Sequence, residues 1–335
     1  MFNQIDLDQS LTWIKSAKNI VITSHKSPDG DSIGSSLSLH FFLKNLGVNS
    51  TICHPDKMPY FLQWLEGSSD ILTLEEHSEE VKINFQNADL IFCLDYNHPS
   101  RIGKMTELLT NSTANKTMID HHQNPDTEFV DILFSDPKNS STSQLIYEYI
   151  EKLNLLNLID SKVGTPMYCG IMTDTGSFRF PSTTAKTHQI IGDLINKGVN
   201  NSKIHENTFD TNSISKLKLN GYAISEKLVI LPSNDVAYIS LSAKELKDLN
   251  YTKGDTEGLV NVALGINGIK MAVFFKEDDG YVKISFRAKR DTYVNEMARE
   301  HFQGGGHIYA AGGKFDGQLE GAIQKFVTVV KNYVK

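Results

Sequence analysis

The pattern of apolar and polar residues divides the chain into two parts of different character. In the first, short apolar runs alternate with stretches of helical period. Residues 19–24 are apolar and β-branched, as a buried strand would be, and residues 32–47 place Ile33, Leu37, Phe41 and Leu46 roughly on one helical side. Strand signals recur at 48–53, 88–94, 116–119 and 129–134, and helix signals at 5–16, 58–66 and 142–155, the last opened by Ser140, Ser141 and Thr142 as candidate caps. Residues 163–172 are mostly apolar and read as a buried segment. This βα alternation predicts a parallel, doubly wound sheet.

The middle of the chain is polar and helical. Residues 186–197 read as a helix stopped by Gly198, followed by helical pieces at 201–209 and 213–227. Beyond them the pattern changes to a hairpin (227–231 and 236–241 around Pro232-Ser233-Asn234-Asp235), an apolar helix (258–264), two strands (269–276 and 281–288) and helices at 294–302 and 322–333. The expected organisation is therefore an α/β domain over 1–195, a helical linker over 196–225 and a smaller α+β domain over 226–335.

Composition narrows the function classes. With 40% apolar and 22% charged residues the chain is globular, and 335 residues suffice for two cores. The net charge of −7 argues against a protein that coats long duplex nucleic acid, but leaves room for a small phosphorylated ligand. Cys53, Cys93 and Cys169 are widely spaced and form no CxxC, which fits a reducing cytoplasm rather than a disulfide framework or thiolate zinc site. The acidic, amphipathic first twenty residues do not read as a signal peptide, and no run of about 18 apolar residues predicts a membrane span.

Candidate chemistry gathers where apolar segments end. His25, Asp29 and Asp31 follow the first strand, bent by Pro28 and Gly30; Asp95 ends another; Asp120, His121 and His122 end a third; Asp174 ends the apolar segment at 163–172. Taken alone, the first group is equally a polar turn in which Asp31 or Ser32 caps the following helix. Strand C-termini of a parallel sheet share one edge, however, so all four groups can converge. Several carboxylates brought together call for a cation, and oxygen plus imidazole donors without thiolate suit Mn²⁺, Mg²⁺ or Fe/Co better than structural zinc. In the second half, Gly304-Gly305-Gly306-His307 reads either as a plain turn or as exposed backbone N–H groups open to a phosphate or base.

His25-x-x-Pro28-Asp29-Gly30-Asp31-Ser32-Ile33-Gly34, Asp95 with Arg101-Ile102-Gly103, Asp120-His121-His122 and Asp174-Thr175-Gly176-Ser177-Phe178 resemble the successive motifs of the DHH phosphoesterase superfamily. Gly304-Gly305-Gly306-His307-x-x-Ala310-Ala311-Gly312 and Ser285-Phe286-Arg287 resemble its DHHA1 domain. The order and spacing are similar to the bacterial nanoRNase type, an oligoribonuclease and phosphatase of 3′-phosphoadenosine 5′-phosphate (pAp). The resemblance implies two divalent cations, Mn²⁺ with Mg²⁺ or Co²⁺ as alternatives. His25 and Asp29 would bind the first, Asp31, His121 and Asp174 the second, and Asp95 would bridge them. It also implies that His122 faces the substrate phosphate, that Asp120 orients the imidazoles, and that Arg287, Gly304, Gly305, Gly306 and His307 bind substrate. The expected partner is a short RNA or nucleotide, with neither long duplex nor membrane, in a cytoplasmic protein that could pair as a homodimer. The alternatives are a cyclic-dinucleotide or pApA phosphodiesterase and, in a different class, a non-catalytic nucleotide sensor.

Overall fold

The computed structural model describes residues 2–232, 235–289 and 292–334. They form two compact units, one ending at Thr211 and the other beginning at Asn212. The division falls inside the stretch expected as a linker.

The first unit runs α1 (Gln4–Ser16), β1 (Ile20–Ser24), α2 (Gly30–Asn45), β2 (Ser50–His54), β3 (Leu72–Thr73), α3 (Ser78–Asn87), β4 (Leu90–Leu94), α4 (Thr106–Asn111), β5 (Asn115–Asp120), β6 (Ile132–Ser135), α5 (Thr142–Lys152), α6 (Ser161–Asp174), α7 (Ala185–Asn196) and α8 (Asn201–Phe209). All pairings are parallel, in the order β3-β2-β1-β4-β5-β6. Both faces are covered, which explains why the strands read as continuous apolar runs. On β1 and β4, Ile20, Ile22, Leu90, Phe92 and Leu94 face a core shared with α1, α2, α5 and α6. Val21, Ile91 and Cys93 face a second core with α3 and α4.

The second unit runs α9 (Ile214–Glu226), β7 (Leu228–Ile230), β8 (Val236–Leu241), α10 (Ala243–Asp248), α11 (Leu259–Leu264), β9 (Met271–Asp278), β10 (Tyr281–Ala288), α12 (Val294–His301), β11 (Gly305–His307), β12 (Ala310–Phe315) and α13 (Leu319–Val329). Its sheet has the order β11-β12-β10-β9-β8-β7 and is antiparallel except for β8 with β9. Val282, Ile284 and Phe286 pack toward α12 and α13, and Ile239 and Phe274 toward α9 and α11. The two-domain α/β architecture matches the expectation. Of the turn expected between β7 and β8, Ser233 and Asn234 lie outside the described residues.

Several local readings are corrected. Helix α2 begins at Gly30, and its cap is Asp29, whose Oδ1 accepts from the backbone N–H groups of Asp31 and Ser32 at 3.1 and 3.0 Å. The capping roles considered for Asp31 and Ser32 therefore do not arise. Residues 58–66 hold only a one-turn 3-10 helix, Tyr60–Leu62. The segment at 163–172 belongs to helix α6, so Asp174 arrives from a helix C-terminus and not from a strand end. An unbroken apolar run hides helical period when a helix is buried on most sides, and α6 packs against α2, α5, α7 and α8. The short α3, α4, α10, β3, β11 and β12 carried too little periodicity to register.

Helices α2 and α6 approach at backbone distance. A Cβ on Gly34 would lie 2.5 Å from the Pro166 carbonyl oxygen and 2.9 Å from Gly170 Cα, and one on Gly30 would lie 2.2 Å from Thr173 Oγ1. Gly34→Ala must push backbone against backbone, so a loss of about 1–3 kcal/mol is expected. Gly192 in α7 has nothing within 4 Å of its Cβ position, so Gly192→Ala should stabilise by about 0.5–1 kcal/mol. Urea unfolding of the two variants beside wild type checks the contrast. An unshifted midpoint for Gly34→Ala would contradict the close approach.

Candidate functional site

Three strand ends and one helix end bring the acidic and imidazole groups together. The centre is Asp95, directly after β4, held at φ 61° and anchored by its N–H to the Ile119 carbonyl at 3.2 Å. Positive φ is costly for a residue with a side chain, and this one points its carboxylate at three rings. Asp95 Oδ2 lies 3.3 Å from His25 Nε2, and Asp95 Oδ1 lies 3.5 Å from His121 Nε2 and 3.7 Å from His122 Nδ1. His25 Nε2 is also 3.7 Å from Asp29, while His121 Nε2 is 3.8 Å from Asp31 and 3.4 Å from Asp174. Two groups result, His25–Asp29 and Asp31–His121–Asp174, with Asp95 common to both.

The imidazoles are oriented by their far nitrogens. His25 Nδ1 donates to the Lys26 carbonyl at 2.9 Å and His121 Nδ1 to the Asn139 carbonyl at 3.3 Å, so each turns Nε2 toward the carboxylates. This is the orientation of metal-ligating histidines. Asp31 is fixed by the opening of α5, its oxygens accepting from the N–H groups of Thr142 at 2.6 Å and Ser143 at 2.8 Å. His122 Nδ1 bonds Asp120 Oδ1 at 2.7 Å, whereas Asp120 Oδ2 is buried with no hydrogen-bond partner among the described residues.

The donor set fits divalent cations. Donors around an ion held at about 2.1 Å stand about 3–3.5 Å apart, close to the 3.3–3.8 Å separations of His25 and His121 from their carboxylates. Among the described residues, donor atoms of His25, Asp29 and Asp95, and of Asp31, Asp95 and His121, lie within 4.8 Å of one another. None is a thiol. Asp174 is the most open member of its group, with a side chain 30% exposed against 1% for Asp31 and 5% for His121.

Without cations the charges are balanced by protons. Burial alone would lower both imidazoles, but Asp29 and Asp95 beside His25, and Asp95, Asp174 and Asp31 beside His121, hold them well above the usual histidine range. Burial, with the charges of Asp95 and Asp174, raises Asp31. Burial, aided by Asp29 and Asp95, pushes Asp174 up to about 6. Burial would raise Asp95 too, but His121 and His25 outweigh it and keep it well below the carboxylate range.

In the second unit, register sets Arg287, Ala310 and His307 abreast across β10, β12 and β11, with Ser285, Gly312 and Gly305 abreast two rows on. Gly305–His307 is thus an edge strand rather than a plain turn. The glycines are needed for contact: a Cβ on Gly304 would lie 2.0 Å from the Gly312 carbonyl oxygen, and one on Gly306 2.7 Å from that of Ala310. Gly312, by contrast, would meet nothing nearer than 3.9 Å. Arg287 Nη1 donates to the Phe286 carbonyl at 2.9 Å.

Comparison with known proteins matches this arrangement. The model of the DHH family, N-terminal domain, matches residues 19–171, and that of the DHHA1 domain matches 234–335. The bifunctional oligoribonuclease and PAP phosphatase NrnA of Bacillus subtilis is 31% identical over 88% of this chain and 88% of its own length. The probable NrnA of Streptococcus mutans is 30% identical over 90% and 91%. A crystal structure of an exopolyphosphatase-related protein from Bacteroides fragilis superposes with a TM-score of 0.94 at 37% identity, covering 99% of this chain and 97% of that one. The chain belongs to the DHH–DHHA1 phosphoesterase family.

Reading motifs for this family left out the groups at the start of α5 that hold the carboxylates. Thr142 donates its hydroxyl to Asp95 Oδ1 at 3.1 Å, and the N–H groups of Thr142 and Ser143 hold Asp31. The signal was the cap-like Ser140-Ser141-Thr142 run, which locates a helix start but not what it faces. Ser141 is the actual cap, accepting from Gln144 N–H.

The raised Asp174 gives a pH-dependent expectation. A carboxyl near 6 when folded, against 3.8 ordinarily, favours the folded state at low pH and loses that advantage as pH rises through about 6. In chelator at pH 8, Asp174→Asn should therefore stabilise the protein by about 1–3 kcal/mol. At pH 4 the difference should largely vanish, and saturating Mn²⁺ at pH 8 should reverse it because the variant lacks a donor. Thermal melts under the three conditions check this, and a variant less stable than wild type in chelator at pH 8 would refute it.

Proposed function

We propose that this protein is a two-cation phosphoesterase, most active with Mn²⁺, that hydrolyses very short oligoribonucleotides to mononucleotides and pAp to AMP. The observation that carries the reading is one carboxylate, Asp95, shared by two imidazole–carboxylate groups. Family membership and the names of the curated relatives support the reaction class and substrates. His25, Asp29 and Asp95 would hold one cation, and Asp31, Asp95, His121 and Asp174 the other. The bound pair supplies Lewis acidity toward water and the phosphoryl oxygens.

The chain's own residues do the rest. Asp120 accepts from His122 Nδ1 and fixes the ring; as an imidazolium paired with that carboxylate, His122 can also donate from Nε2 to a phosphoryl oxygen as negative charge grows there. Asp31, held by two N–H groups, and His25 and His121, held by carbonyls, keep the donors in place before substrate arrives. In the second unit, Arg287 offers a planar, charged fork for phosphate. Gly304, Gly305, Gly306 and His307 complete the nucleotide grip, and residues 226–335 form the substrate domain. No described helix is long and apolar enough to cross a membrane.

Activity should disappear in chelator and return with Mn²⁺, and Asp95→Asn should abolish it at any Mn²⁺ concentration because both groups lose their common donor. His122→Ala should keep its Mn²⁺ while losing turnover; loss of one ion per chain would instead make His122 a ligand. Product analysis with pAp, RNA of two to about ten nucleotides and cyclic di-AMP decides the substrate. Preferential cleavage of cyclic di-AMP would transfer the assignment, and absence of hydrolysis with bound nucleotide would favour a sensor.

The two units should separate by substrate. A charge-assisted phosphate contact is worth about 1.5–3 kcal/mol, so Arg287→Ala or His307→Ala should raise KM for pAp by roughly tenfold to a hundredfold. Hydrolysis of bis-p-nitrophenyl phosphate should change little. Equal loss on both substrates would show that the second unit helps assemble the catalytic centre.

A further inference from the structure

The turn that follows Asp174 is unusual. Helix α6 ends at Asp174, and Gly176, Ser177 and Phe178 then take φ of 57°, 60° and 65°. Three successive left-handed residues, two of them with side chains, cost on the order of 1 kcal/mol or more for each non-glycine. The turn is closed tightly: a Cβ on Gly176 would lie 2.5 Å from Phe180 Cζ, Ser177 N–H donates to the Met172 carbonyl at 2.8 Å, and Phe178 N–H to Thr175 Oγ1 at 3.0 Å. Strain of this kind persists only where surrounding contacts over-determine it.

One such contact comes from α8. His205 Nδ1 is 2.9 Å from the Asn201 carbonyl, which can only accept, so this nitrogen carries the proton. The neutral ring therefore presents Nε2 as an acceptor, 3.1 Å from Ser177 Oγ. The same ring lies 6.5 Å from Phe178 and 6.0 Å from Tyr168, and Phe178 packs edge-on to Tyr168 at 5.7 Å. His205 thus engages both side-chain-bearing residues of the strained turn and touches none of the acidic cluster's carboxylates.

Asp174 needs such a hold more than its fellows. Asp31 is pinned by two N–H groups, Asp29 caps α2 and Asp95 accepts from Thr142. Asp174 sits at a helix C-terminus, where the aligned peptide dipoles repel a carboxylate, and its side chain is 30% exposed.

We propose that His205 is a positioning residue which, through Ser177 and Phe178, fixes the turn that aims Asp174, and so sets cation affinity in the Asp31–His121–Asp174 group without affecting the His25–Asp29 group. This rests on the two-cation reading above. Outer residues that orient ligands typically change metal affinity tenfold to a hundredfold. The experiment is Mn²⁺ titration of the full, chelator-stripped chain by calorimetry and by electron paramagnetic resonance of free Mn²⁺.

For His205→Ala, one of two binding steps should weaken by about tenfold to a hundredfold and the other should be unchanged. Ser177→Ala, which deletes a single oxygen, should shift the same step in the same direction, and it decides the question if His205→Ala does not fold. His205→Gln, whose amide oxygen can accept from Ser177, should restore much of the affinity. Adding His205→Ala to Asp174→Asn should cause no further loss, since both act on one ligand. At saturating Mn²⁺, kcat should recover with KM for pAp unaltered. Unchanged affinity in both steps, equal weakening of both, or full additivity with Asp174→Asn would overturn the proposal. A wild-type chain that binds fewer than two Mn²⁺ would overturn the two-cation reading and this inference with it, an outcome separate from the others because it is read before any variant is made.

Discussion

The constraint on which the first unit depends is mutual repulsion among closely set carboxylates, of which Asp31 and Asp95 are buried. Asp29, Asp31, Asp95 and Asp174 reach the same few ångströms around His25 and His121. Such a set cannot be fully ionised in a low-dielectric setting without compensation. The fold answers with backbone N–H groups at the start of α5, with the capping geometry of α2 and with imidazoles whose far nitrogens are tied to carbonyls. What these leave unbalanced is made up by protons in the bare protein and is suited to cations. Affinity for metal and instability without it are therefore the same electrostatic fact.

The rest of the unit can be understood as scaffolding for that concentration of charge. The β3-β2-β1-β4-β5-β6 order places the C-terminal ends of β1, β4 and β5 side by side, so three groups of acidic and imidazole residues meet by topology. The fourth arrives because α6 runs against α2 in direct backbone contact at Gly34. The second unit presents a different chemistry, a small-residue edge in register with a guanidinium-bearing strand, with no comparable build-up of buried carboxylates among the described residues.

Most of this was legible in the sequence where one residue type has one physical meaning. The run at 19–24, the terminal Asp95 and the Asp120-His121-His122 group announced strands ending in acidic and imidazole groups, because an apolar β-branched run that stops abruptly at a charged residue fits a buried strand and little else. The helical nature of α6 was not legible, since burial on most sides erases amphipathic period. Nor was the glycine hairpin: glycine fits an open turn and a crowded strand pair equally well, and only the 2.0 and 2.7 Å clearances at Gly304 and Gly306 distinguish them. Asp29, and not Asp31 or Ser32, caps α2 because its carboxylate serves both the helix and His25, a double duty that no local propensity encodes.

The glycine crossing of α2 and α6 bears on how such a centre can evolve. Asp31 lies three residues from Gly34, and Asp174 four residues from Gly170, so the separation of these two carboxylates is set near the point where main chain meets main chain at Gly34. A core built of side chains can be repacked by substitution, and its helices drift as it is. At Gly34 the neighbours are backbone atoms, with no side chain to exchange. The spacing of Asp31 and Asp174 is thereby tied to a main-chain contact that repacking of the surrounding side chains does not directly change.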